Sequence, residues 1–246
     1  MVLFTQPISQ QLQSSTAGIS WYPNIRPMTQ NVTQGDTFLR NSVNLTNQFV
    51  LYATFNGAGT GVPTISSNRQ MNIATTGAAN DNTDIFTKEF TFQRSSSSTL
   101  LDNRSQVEIN IFFSQPETTA KKYFVGLVND FSGLSALPTT AFHMGIYLDT
   151  AVSNNFKLSS ADGSTQTTTD TGFAADTSTW RLQIIWNGTN SATLNFYSSS
   201  ISSTITKTQI VTALGSKNEY TLHFFVMTTA NAVKNAQIVG WIANCI

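Results

Sequence analysis

The chain has 246 residues and a formal charge of zero, with 13 Lys plus Arg against 13 Asp plus Glu and no basic cluster along its length. Direct nucleic-acid contact is therefore not expected, because that affinity comes largely from counterions displaced by clustered Lys and Arg. With 40% hydrophobic and only 11% charged residues, the surface must be polar through Ser, Thr, Asn and Gln, the composition of pleated sheets joined by turns.

The length suits one large all-β domain, since sandwiches and barrels reach roughly 200–250 residues without splitting. Cys245 is the single cysteine, so no intrachain disulfide forms and stability has to come from core burial. The stretch from Met1 to Pro7 lacks the basic residues and long apolar run of a secretory signal. The longest apolar stretches fall short of the about 20 residues that a membrane helix needs, so membrane insertion is not expected. Glycosylation triplets begin at Asn31, Asn44, Asn103 and Asn187, and in a chain this rich in Asn, Ser and Thr they read as chance matches.

Residues 1–35 carry Gln and Ser with Pro7, Pro23 and Pro27 and show no sustained alternation, which predicts an extended N-terminal arm. Trp21 and Tyr22 are its aromatic anchor, suited either to its own domain or to a neighbouring subunit. Residues 36–246 are expected to form a single β-sandwich domain. Strands are predicted over 42–53, 85–92, 107–113 and 123–128, with a flexible Gly-rich loop after Asn56. That loop lacks the Lys and the following helix of a phosphate cradle.

Residues 141–149 place Phe142, Met144, Ile146 and Leu148 on one face and His143, Tyr147 and Asp149 on the other, the period of a half-buried strand. A strand over 155–159 follows, and Asp162-Gly163 turns the chain into a Thr-rich strand. Trp180, Leu182, Ile184 and Trp186 alternate with Arg181, Gln183 and Ile185, then meet Asn187-Gly188, beyond which Ala192, Leu194 and Phe196 resume the alternation. This is a β-hairpin whose tryptophans point into the core and whose Asn187 turn is exposed. Further strands are predicted over 201–210, 220–228 and 238–242, so ten to fourteen strands in all form two packed antiparallel sheets.

The order of the segments Phe124-Val125-Gly126-Leu127, Gly145-Ile146-Tyr147-Leu148, Phe156-Lys157-Leu158-Ser159, Trp180-Arg181-Leu182-Gln183-Ile184 and Leu194-Asn195-Phe196-Tyr197 resembles the concanavalin A-like jelly roll of laminin-G, pentraxin and lectin modules. It looks in particular like copies in structural proteins of phages and other viruses. The resemblance covers about residues 85–242 and rests on strand spacing and the Trp hairpin. It implies an all-β, two-sheet antiparallel jelly-roll sandwich but no activity, because that fold hosts glycan binding, glycan hydrolysis and assembly.

Glycoside hydrolysis needs two carboxyl groups about 5–9 Å apart. Glycosidases of this jelly roll place them as Glu-x-Asp-x-x-Glu on one strand, and none of Glu89, Glu108, Glu117 and Glu219 has an acidic residue at that spacing. Glu108 is the best lone strand carboxylate and reads as outward-facing. No nucleophile elbow or zinc pattern accompanies the two histidines, so no catalytic residues are predicted. Asp149, Asn154, Asn155, Asp162 and Asp170 gather turn oxygens of the kind that hold calcium in some lectins of this fold, but without a calcium-loop spacing; turn chemistry is expected, with no cofactor.

A glycan or partner surface, if present, is expected at His143, Tyr147, Asp149, Asn155, Asp162 and Asn187. The leading functional expectation is a non-enzymatic virion structural protein, decorating a capsid, serving as a minor capsid protein or associated with a fibre. It would assemble with other virion proteins or with copies of itself as a homo-oligomer. The alternative is an extracellular, lectin-like carbohydrate-binding module, and a glycoside hydrolase ranks last.

Overall fold

The computed structural model describes residues 33–36, 52–57, 59, 63–65, 70–87, 92–93, 107–114, 117–186, 191–212, 214 and 219–245. Trp21, Tyr22 and Asn187 lie outside these residues, as does nearly all of the expected arm. Sheet I contains β1 (Thr33–Asp36), β3 (Thr64–Ile65), β4 (Met71–Ala74), β7 (Val107–Ser114), β12 (Thr179–Trp186), β13 (Ala192–Tyr197), β14 (Lys207–Val211) and β16 (Asn235–Cys245). Its order is β14-β13-β12-β7-β16-β4-β3, with β1 also on β16. Sheet II contains β2 (Tyr52–Asn56), β5 (Asn82–Thr87), β6 (Phe92–Gln93), β8 (Lys121–Val128), β9 (His143–Asp149), β10 (Ser153–Ala161), β11 (Gln166–Ala174) and β15 (Glu219–Thr228). Here the order is β11-β10-β9-β8-β15-β5-β2, with β6 on β15. All pairings are antiparallel, and the two sheets face each other as a sandwich.

Period-two alternation fills the space between the sheets. From sheet I come Ile109, Ile111, Phe113, Trp180, Leu182, Ile184, Trp186, Leu194 and Phe196; from sheet II come Tyr123, Val125, Met144, Ile146, Leu148, Phe156, Leu222 and Phe224. Aromatic rings dominate one region. Phe156 meets Phe113 and Trp180 edge-on, each at 5.6 Å, and Trp180 stacks on Phe196 at 5.5 Å. Such pairs add about 0.5–1.5 kcal/mol to the burial of their area, so truncating Phe156 to Ala removes about 3–5 kcal/mol of stability.

The hairpin registers as its sequence predicts, with Leu182 opposite Phe196 and Ile184 opposite Leu194. Two segments differ from expectation. Residues 201–206 are not a strand, and Ile201 and Ile205 stand in solvent. Ser202 accepts from the Thr204 amide at 3.1 Å and donates to its carbonyl, a local alternative to the sheet ladder. Thr33, Gln34 and Gly35, counted in the arm, belong instead to β1 and pair with Asn244, Ala243 and Ile242 of β16. The four-residue β4 escaped the sequence because so short a run carries little periodicity.

Candidate functional site

The outer face of sheet II is where the strand alternation puts the polar residues of the chemically mixed segment 143–170. Residues 129–142, between β8 and β9, fold back over one half of this face. The neck of the loop is held by Asn129 donating to the Phe142 carbonyl at 2.9 Å. Beneath it Leu134 joins Phe124, Val128 and Phe225 in a second, smaller apolar cluster, with Leu137, Tyr147 and Met227 at its rim. Gly126 and Gly145 lie opposite each other there, and a Cβ on Gly145 would come within 2.8 Å of the Phe124 ring. The paired glycines therefore let that ring lie flat on the sheet.

Polar groups under the loop form two hydrogen-bonded chains. The Nδ1–H of His143 donates to the Ala141 carbonyl at 2.7 Å, Ser159 donates to its Nε2 at 2.7 Å, and Gln166 donates to Ser159 at 3.0 Å. A carbonyl can only accept, so the tautomer is fixed. Burial holds His143 at about 4, well below the usual histidine range, against a smaller opposite pull from Ala141. The second chain joins Asp84, His223 and Thr221: His223 Nδ1 meets the Asp84 carboxylate at 2.7 Å, and its Nε2 lies 2.6 Å from the Thr221 hydroxyl and 3.0 Å from the Asp130 carbonyl. The same Asp84 oxygen accepts the Leu134 amide at 2.7 Å, which ties the loop to β5.

The other half of the face is open. Register sets Phe225, Phe124, Tyr147, Lys157 and Asp170 in one row across five strands, and Lys122 with Asp149 in the next. Lys122 pairs with Asp149 at 3.4 Å, and Asn155 donates to Asp170 at 3.1 Å. Burial raises the Tyr147 hydroxyl, helped by the negative charges of Asp149 and Asp170, so the phenol stays protonated as a donor. What results is a half-buried aromatic ring edged by two carboxylates, two ammonium groups and an amide.

Tyr147, Asp149 and Asn155 lie near one another on the open half of this face. His143 corrects the sequence reading: the residue occupies the expected face but has 0% exposure, because the loop before β9 closes over it, and so offers nothing to a ligand. Asp162 sits in the β10–β11 turn, apart from the open row, with its Oδ1 accepting from Ser164 and Thr165. These bonds hold its carboxyl below the usual range. Lys122, Lys157 and Asp170 complete the patch; the sequence offers Asp170 only as a turn oxygen and neither lysine, since cross-strand register brings them to Tyr147 and Asp149. Among the described residues no three His, Cys, Asp or Glu side chains could hold a metal ion. Glu108 lies on the outer face of sheet I, accepting from Asn110 at 2.7 Å and Gln183 at 2.8 Å.

No protein-family model matches the chain, and no curated protein is significantly similar to it. Solved structures are similar. Peanut lectin aligns with a TM-score of 0.57 at 12% identity, covering 88% of this chain and 98% of its own. The fold is the concanavalin A-like jelly roll. A Bacillus licheniformis β-glucanase shares this jelly roll at a TM-score of 0.56 and 9% identity, over 86% of this chain and 97% of that one. So does the CBM2 module of the evolved Dit of Lactobacillus casei BL23 phage J-1, at 0.53 and 10%, over 88% and 97%. At such identities the concanavalin A-like likeness carries the fold alone.

Proposed function

We propose that this protein is a non-enzymatic, lectin-like module that binds carbohydrate on the open half of the sheet II outer face. The observation that carries this reading is Tyr147, in register with Lys157 and, one strand further, Asp170, and adjoined by Asp149 and Asn155. A sugar needs an apolar platform with a few fixed donors and acceptors around it, and this patch supplies both. The lectin and phage carbohydrate-binding module among the similar structures favour the same reading. Hydrolysis is disfavoured because it needs two carboxyl groups free to act on the glycosidic bond, whereas Asp149 and Asp170 are engaged by Lys122, Asn155 and turn amides.

A glycan array with and without calcium tests the proposal. Binding to a defined set of glycans, weakened at least about tenfold by Tyr147→Ala, is expected, which is about 1.4 kcal/mol; silence in both conditions overturns it. The second reading places the module in a virion, assembled with other virion proteins or with copies of itself and presenting this face outward. Its support is the likeness to a module of a phage Dit and the exposed Ile210 and Ile242 on the opposite sheet. Light scattering decides it, since a strict monomer without affinity for particles counts against assembly.

A further inference from the structure

Lys121, at the start of β8, is fully buried although it carries an amine. It points between the sheets towards Tyr123, and its Nζ contacts the backbone carbonyl of Asn235 at the start of β16. Glu117, in the connection before β8, reaches the same place. One of its oxygens, Oε2, lies 3.7 Å from Nζ and accepts the Asn235 amide at 2.6 Å; the other, Oε1, accepts from the side-chain Nδ2 of Asn235 at 2.5 Å. A single carboxylate thus spans an amine and the nitrogen of a carboxamide, with the amine already against the residue that carries that carboxamide.

We propose that Lys121 and Asn235 join in an intramolecular isopeptide bond, with Glu117 carrying the proton between them. The reaction balances without a co-reactant. The lone pair of neutral Nζ attacks Cγ of Asn235 and forms a C–N bond, while the proton lost by Nζ passes to Glu117 and on to Nδ2. The Cγ–Nδ2 bond then breaks, ammonia leaves, and Glu117 returns to its carboxylate form; nothing is oxidised or reduced. Burial supplies the free amine: it lowers Lys121 to about 7, and the positive charge of Lys234 adds to this while Glu117 opposes it.

The link would tie sheet II to sheet I across 114 positions of a chain that has no disulfide to do so. It is independent of any ligand on the outer face. The test is the intact mass of the full chain after denaturation, together with a tryptic digest. The expected mass is that of the sequence less one ammonia, with the Lys121 and Asn235 peptides recovered as one branched species. The full mass is expected to return in Glu117→Ala and in Lys121→Arg. A wild-type chain at full mass overturns the proposal whatever the variants do, and so does ammonia loss with the two peptides separate, which would mark a succinimide or another local loss.

Discussion

Strands β8, β9 and β10 each run from the covered half of the sheet II outer face to its open half, and their chemistry changes on the way. Under the loop both histidines are answered from within the chain: His143 by Ala141 and Ser159, His223 by Asp84. Beyond the loop, Tyr147, Lys157 and Asp170 sit in the same alternation and face water. Strand parity is the same in the two halves. What separates structure from site is a cover of about a dozen residues, because a buried polar group must be bonded internally whereas an exposed one is left available to a ligand.

The covered half breaks most severely at Asp84. Replacing it with Ala strands a buried imidazole and frees the Leu134 amide, and each group left without its partner costs about 1–3 kcal/mol. Urea unfolding should show that loss, and amides of residues 129–142 should exchange faster with solvent. Unchanged protection of the loop would mean that the apolar contacts of Leu134 hold it alone.

A pH scan breaks the same half more gently. His143 is held at about 4 when folded, against 6.5 as a free side chain. Between these values the unfolded chain binds a proton that the folded chain refuses, so stability rises with pH across the window. The contribution is complete above 6.5 and is lost as the pH falls towards 4. At about 1.4 kcal/mol per unit the whole window amounts to roughly 3 kcal/mol. Asp81 extends the trend: burial raises its carboxyl, but bonds from Thr76 and Gly59 outweigh that and leave it low, so its stabilisation also disappears once the pH falls below 3.8. His143→Gln should flatten the upper part of the scan, and an unchanged slope between pH 6.5 and 4 there sinks the assignment.

These residues also mark where the sequence was readable. Trp180 and Trp186 are placed in the core by period two alone, and Asp162-Gly163 announces its turn by residue type, because both signals act within a few residues. The face of His143 was legible for the same reason. Its burial was not, since the cover comes from a loop without periodicity. Asp84 and His223 lie 139 positions apart and Lys121 and Asn235 114, so no local pattern in the chain announces either meeting. Lys157 beside Tyr147 is a matter of register between β9 and β10, fixed only once the sheet is paired.

The open half is sharpened by substitutions that leave the fold alone. Lys157 is half-buried on the outer face, and replacing it with Ala should change stability by no more than about 0.5 kcal/mol, the usual range for surface positions without a cap, a core contact or a buried pair. Glycan binding should nonetheless weaken, because an ammonium between Tyr147 and Asp170 fixes the orientation of a ring lying on the phenol. Thermal unfolding and array binding, measured on the same sample, separate the two effects. A loss of stability comparable to that of Asp84→Ala would place Lys157 among the structural groups, and unaltered binding at unaltered stability would move the site away from this row. The covered half cannot show that separation, because every polar group removed there leaves a buried partner without its bond.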